Sequence, residues 1–230
     1  MGNIISEAST EQSKIFHESI RAAIIVVVKQ HLDDQDYNLR MSMIQQVLFL
    51  QGGGAGAFHE DRKLAESLSD ALGSAYQVHY PAMPHEDDPD YELWRQKIEQ
   101  MMEQLGDDVI LCGHSVGAYI LLKLLVERQA TSKLAGIFLI ATPFVGPGGW
   151  QIMGMALPED AAVNLPRNVP LFFYHARDDE TVPFAHLALY RQELPHAVTR
   201  ELEQGGHQLN NDLSAVVADI EHVVSGRRAR

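Results

Sequence analysis

The chain has 230 residues, 46% of them hydrophobic and 21% charged, the profile of one globular domain with room for an appendage rather than of a disordered or fibrous chain. Its formal net charge of −13 repels nucleic-acid backbones and anionic surfaces, so no nucleic-acid partner is expected. The single cysteine, Cys112, excludes an internal disulfide, and no apolar run approaches the roughly 20 residues of a membrane span, so no integral-membrane association is expected.

In chain order, residues 1–43 stand apart from the rest as an N-terminal extension. The opening Met1-Gly2-Asn3-Ile4-Ile5-Ser6 fits the N-myristoylation pattern, which fixes so few positions that chance also satisfies it. Residues 12–31 read as one helix, packed on the domain or on a partner, and Asp33, Asp34 and Asp36 then make a polar break. Met41 and Met43 precede the first strand and are alternative starts of translation. Glu7, Glu11 and Glu18 lie ahead of the apolar run 22–28, the wrong charge for a secretory signal peptide, which leaves a cytoplasmic location as the expectation.

From residue 44 to 230 the pattern is that of one domain in which short apolar runs alternate with longer polar-apolar stretches. Strands are predicted over 47–51, 76–80, 109–112, 136–141, 169–175 and 198–202, and helices over 61–72, 91–105, 116–128, 184–193 and 211–224. Alternation of this kind implies βαβ units: an α/β fold of three layers, with a mostly parallel sheet of about six strands between helices. Residues 142–167 break the rhythm, being rich in Gly, Pro and Met. They read either as a short lid or pocket wall bearing Phe144, Trp150 and Met153, or as a surface excursion that packs its own apolar residues. Arg227, Arg228 and Arg230 read as a solvated basic tail.

The strongest local signal is Gly113-His114-Ser115-Val116-Gly117, which matches G-x-S-x-G between an apolar strand and an amphipathic helix. The turn is tight, and glycines on either side of the serine remove side chains that would clash with neighbouring backbone. It lifts the Ser115 hydroxyl above the sheet, with the positive end of the helix behind it. His114 reads as structural or pocket-lining, and Cys112 as a small buried strand residue.

A serine hydroxyl needs a base to take its proton, and the base needs an acid to orient it. In the chain order Ser, acid, His, the acid belongs after a late strand and the histidine after the last one. The pattern D-x-x-V-P puts the acid at Asp179, with Asp178 as the alternative, and Gly205-Gly206-His207 supplies the histidine. The other histidines, including His59, His79, His85, His175 and His186, lack that placement, and none has metal-ligand spacing, so neither metal nor organic cofactor is expected. An oxyanion needs N–H donors: one from Val116, the other from Gly53 or Gly54 in the glycine-rich run after the first strand. That run lacks the Lys-Ser/Thr of a P-loop, which argues against a nucleotide.

Together these residues resemble the α/β-hydrolase superfamily, and more narrowly the small, nearly cap-less serine hydrolases related to retinoblastoma-binding protein 9. The resemblance runs over about 44–224 and rests on 47–56, 113–117, 178–183 and 205–207. It implies that the oxyanion loop and the elbow lie side by side at a topological switch point. Two departures stand out: Gln51-Gly52 replaces the His-Gly of many relatives, and His175-Ala176-Arg177 replaces the glycine that often follows the strand before the acid. The implied activity is hydrolysis of a small-molecule ester or thioester through an acyl-enzyme, with an apolar acyl or alcohol group suggested by Phe144, Trp150 and Met153. The alternatives are amide hydrolysis or acyl transfer on the same residues, and a non-catalytic binding module on a hydrolase scaffold.

Overall fold

A computed structural model describes residues 44–128 and 134–228. The expected extension, with its helix, its myristoylation pattern and Met41 and Met43, lies outside the described residues.

The strands are β1 (Gln45–Leu50), β2 (Tyr76–His79), β3 (Val109–His114), β4 (Leu134–Ile140), β5 (Leu171–Ala176) and β6 (Val198–Leu202). The helices are α1 (Ala57–Glu60), α2 (Arg62–Leu72), α3 (Tyr91–Leu105), α4 (Ser115–Arg128), α5 (Ala161–Asn164), α6 (Ala185–Glu193) and α7 (Ser214–Arg228). The strands form one sheet, parallel throughout, in the order β2-β1-β3-β4-β5-β6. The α/β expectation is met in layers and in strand number. The chain leaves β1 toward one edge and β3 toward the other, so the loops after these two strands open a crevice at the C-terminal ends of neighbouring strands.

Side-chain alternation along the strands builds a core on each face. Leu48 and Leu50 of β1 join Trp94, Ile98, Leu121 and Tyr190 from α3, α4 and α6. Val47 and Phe49 join Leu64, Leu68, Val216 and Ile220 from α2 and α7. Strands β3, β4 and β5 are buried along their whole length, which is why they read as unbroken apolar runs. The edge strand β6 is half-exposed and carries Glu201, paired with Arg177 and Arg191; charges of this kind blunt an open edge.

Several expectations need correction. Helix α4 is not amphipathic: residues 117–126 are all buried, because β3, β4, α3 and α5 cover it. Its one buried charge, Lys123, is matched by Glu127 at 2.7 Å and lies over the Tyr91 ring. Strand β5 starts two residues late, since Pro170 accepts a hydrogen bond from Ile137 but has no N–H to give. Arg227 is no solvated tail: it donates to the Leu134 carbonyl and to Asp108.

Residues 144–167 form no separate cap. Val145 and Trp150 make a β-bridge, Phe144, Ala161 and Leu165 are anchored in the core, and Ile152, Met153 and Val163 point to solvent. The apolar residues of this stretch thus divide between the domain core and the surface, which matches neither of the two readings in full. Among the described residues no helix is long and apolar enough to cross a membrane.

Candidate active site

The turn from β3 into α4 is a close crossing of backbones. A Cβ at Gly113 would come within 2.7 Å of the Ala118 Cα, and one at Gly117 within 2.0 Å of the Gln51 carbonyl oxygen. Only glycine permits α4 to begin so near β3 and the end of β1. Ser115 itself takes φ 52°, a left-handed conformation rare for a side-chain-bearing residue, and is 6% exposed.

The loop after β6 returns over this turn. The Asp178 carboxylate accepts the N–H groups of Gly205 and Gly206, and Glu180 accepts that of His207. Gly206 sits at φ 60°, which favours glycine there. The loop so held brings His207 Nε2 to 3.0 Å from Ser115 Oγ, and His207 Nδ1 to 3.0 and 3.1 Å from the two oxygens of Asp179. Of the two aspartates, Asp179 therefore meets the histidine, while Asp178 fastens the histidine's loop.

Asp179 is saturated with donors. Its Oδ1 accepts the N–H groups of Thr181 and Val182, and His175 Nε2 lies 3.2 Å from its Oδ2. Burial alone would push its carboxyl up, but hydrogen bonds from His175, His207 and Val182 outweigh that and hold it well below the usual carboxylate range. His175, set aside in the sequence, is thus a buried partner of Asp179 that also reaches the Val182 carbonyl at 2.9 Å.

The glycine-rich loop after β1 lies beside the elbow. The Gly52 N–H donates to Asp61 at 2.7 Å, and the Gly54 N–H donates to the Glu86 carbonyl. Gly54 is therefore not free to serve an oxyanion, contrary to one of the two sequence alternatives. Among the described residues the Gly53 N–H donates to nothing, and a Cβ there would lie 3.2 Å from that of Val116. Val116 is in the first turn of α4, where N–H groups have no partner within the helix. The Glu86 carboxylate holds this loop through Gln51, Gly56 and Phe58, and the Gln51 amide oxygen accepts from Met83. Gln51, in the place of the expected histidine, is thus wholly buried and ties the loop to residues 83–86.

The three apolar candidates separate. Met153 is 100% exposed and walls no pocket. Phe144 is a core residue, edge-on to Tyr190. Trp150 is half-buried beside His186, whose Nδ1 accepts the Phe144 N–H; burial holds that imidazole below its ordinary pKa. Sequence reasoning also missed Asp61, which is buried and bonded to His114. Nothing in the local pattern marks either partner, since they lie 53 residues apart.

A serine hydrolase family model matches residues 59–214. Among solved structures, the fold is similar to that of the ydeN gene product from B. subtilis, with 22% identity, 79% of this chain and 99% of that one covered, and a TM-score of 0.62. It is also similar to Est1E from Butyrivibrio proteoclasticus (12% identity, 81% and 89% covered, TM-score 0.59). SOBER1 from Arabidopsis thaliana gives 15% identity, 78% and 99% covered, and a TM-score of 0.55. No curated protein matches in sequence.

Proposed function

The chain belongs to the serine hydrolase family, and from that premise we propose that it cleaves an ester or thioester by an acyl-enzyme route, with Ser115 as nucleophile, His207 as base and Asp179 as the orienting acid. The observation that carries the reading is the unbroken line of hydrogen-bond distances from Ser115 Oγ through His207 to Asp179.

Ser115 Oγ attacks the carbonyl carbon as its proton passes to His207 Nε2. Asp179 keeps the other ring proton on Nδ1 and offsets the imidazolium charge that forms. The negative charge moving onto the carbonyl oxygen meets the N–H groups of Val116 and Gly53, dipoles already in place before the reaction. The adduct collapses, and His207 gives its proton to the departing alcohol or thiol. Water then attacks the acyl-serine, with its proton taken by His207. The carboxylic acid leaves and Ser115 is restored.

The test is labelling with a fluorophosphonate probe. Wild type should label, and Ser115→Ala and His207→Ala should not, since removing either member costs several orders of magnitude in rate. A folded wild type that takes no label would sink the reading. Matched p-nitrophenyl esters and thioesters then separate the two leaving groups, and product analysis with amine or alcohol acceptors separates hydrolysis from acyl transfer.

A further inference from the structure

Behind Ser115 lies a second histidine–aspartate pair, separate from His207 and Asp179. His114 Nδ1 is 2.8 Å from Asp61 Oδ2, and both side chains are almost fully buried, at 1% and 2% exposure. The other ring nitrogen, Nε2, is 3.0 Å from the backbone carbonyl oxygen of His207. Both neighbours are acceptors. A neutral imidazole carries one proton and can serve only one of them.

We propose that His114 is a buried imidazolium whose pairing with Asp61 is a positioning device for His207. Its Nε2–H holds the His207 backbone, and its Nδ1–H holds Asp61. Asp61 in turn accepts the Gly52 N–H of the oxyanion loop and, on Oδ1, the side-chain amide of Gln208. One ion pair thereby ties together the elbow, the oxyanion loop and the histidine loop, the three segments whose relative placement acyl transfer requires. The proposal rests on the reading of His207 as base, but the charge on His114 can be measured without it.

The electrostatic surroundings agree. Burial opposes a charged imidazole, but the hydrogen bond and charge of Asp61, the His207 carbonyl and the more distant Asp179 outweigh it and raise the His114 pKa. Asp61 is likewise held below the ordinary carboxylate range despite its burial, chiefly by His114 and then by the Gly52 N–H and Gln208. The His207 ring packs against His114 with centroids 4.6 Å apart, so a shift of one ring displaces the other. Gly52 is hemmed in by the same cluster: a Cβ there would lie 3.5 Å from both Asp61 Oδ2 and His114 Nδ1.

Two measurements decide it. In 15N-labelled protein near neutral pH, His114, assigned by its loss in His114→Gln, should show two protonated ring nitrogens; one unprotonated nitrogen overturns the proposal. In steady-state hydrolysis of p-nitrophenyl acetate, Asp61→Asn should lower kcat by about 10–100-fold while KM changes by less than about threefold, the signature of a misplaced base and not of lost substrate binding. A kcat within about twofold of wild type, or a loss confined to KM, overturns it. Should Asp61→Asn fail to fold, Gln208→Ala keeps the ion pair and cuts only its side-chain tie to the histidine loop. It should slow fluorophosphonate labelling by about tenfold, and an unchanged rate counts against the proposal. Failure of the wild type to label would sink the function proposed above, whereas the His114 spectrum still reports on the ion pair.

Discussion

Gly117→Ala offers the sharpest test of how the elbow is built. The added Cβ would lie 2.0 Å from the Gln51 carbonyl oxygen and 3.0 Å from its carbonyl carbon. Carbon–oxygen contacts normally stop at about 3.3 Å, so helix α4 and the end of β1 must separate by roughly 1.3 Å. Neither can give easily: Gln51 is wholly buried and bonded to Glu86, and residues 117–126 of α4 are buried throughout. Overpacking of a well-fitted core costs about 1–3 kcal/mol, and a clash between two backbones belongs at the upper end. For a chain of this size about 3 kcal/mol lowers Tm by roughly 6–12 °C. The same displacement parts Val116 from Gly53, and a misplacement of about 1 Å costs about 100-fold in rate. Thermal unfolding followed by circular dichroism, and kcat/KM on a p-nitrophenyl ester, measure both losses. The control is Gly226→Ala on α7, where a Cβ meets open space and the backbone φ is ordinary; it should leave activity alone and stabilise by no more than about 1 kcal/mol. A Gly117→Ala variant matching wild type in both assays would refute the crossing geometry.

Asp179→Asn should lower kcat by about four orders of magnitude, because an amide nitrogen cannot accept from His207, while Asp178→Asn should cost far less; equal losses would mean that the two aspartates share the role. The depressed pKa of Asp179 stabilises the fold fully above the unfolded-state value of about 4, and this contribution drains away as pH falls toward the folded pKa. Urea unfolding below pH 4 should therefore show a steeper loss for wild type than for Asp179→Asn, and parallel curves would contradict the assignment. Cys112 is fully buried, and burial pushes its thiol pKa up. It should resist a thiol-specific chromogenic reagent in the native protein and titrate as the chain's 1 cysteine in urea; rapid native reaction would show that β3 opens.

Much of the architecture was legible because it follows from local rules. Strands β1, β3 and β4 run through the middle of the sheet, so both faces demand apolar residues and the signal is a plain run. The helix α3 announces itself through Asp90, whose carboxylate accepts the Leu93 N–H, and through Gly106 at its end. The short helices α1 and α5 were not legible: 4 residues each are too few to nucleate a helix alone, and burial of Ala57 and Ala161 holds them in place. The fully buried α4 defeated the amphipathic expectation for a different reason, since how many neighbours cover a helix is not written in its own residues.

The site divides in the same way. The tight turn at Ser115 is a steric fact about neighbours in sequence, so Gly113 and Gly117 reveal it. Asp178 and Asp179 are adjacent carboxylates, and the D-x-x-V-P spacing only favours the second; they part ways when a loop about 28 residues further on lands its glycine N–H groups on one and its imidazole on the other. Gly53 and Gly54 are chemically identical until the Glu86 carbonyl takes one N–H. Nor does any local rule join Asp61 to His114, or His175 to Asp179, because a buried polar group is satisfied by whatever donor folding delivers to it. Patterning and steric limits act between near neighbours and so survive in a linear text. The pairing of donors with acceptors across a crevice exists only once the sheet has been assembled.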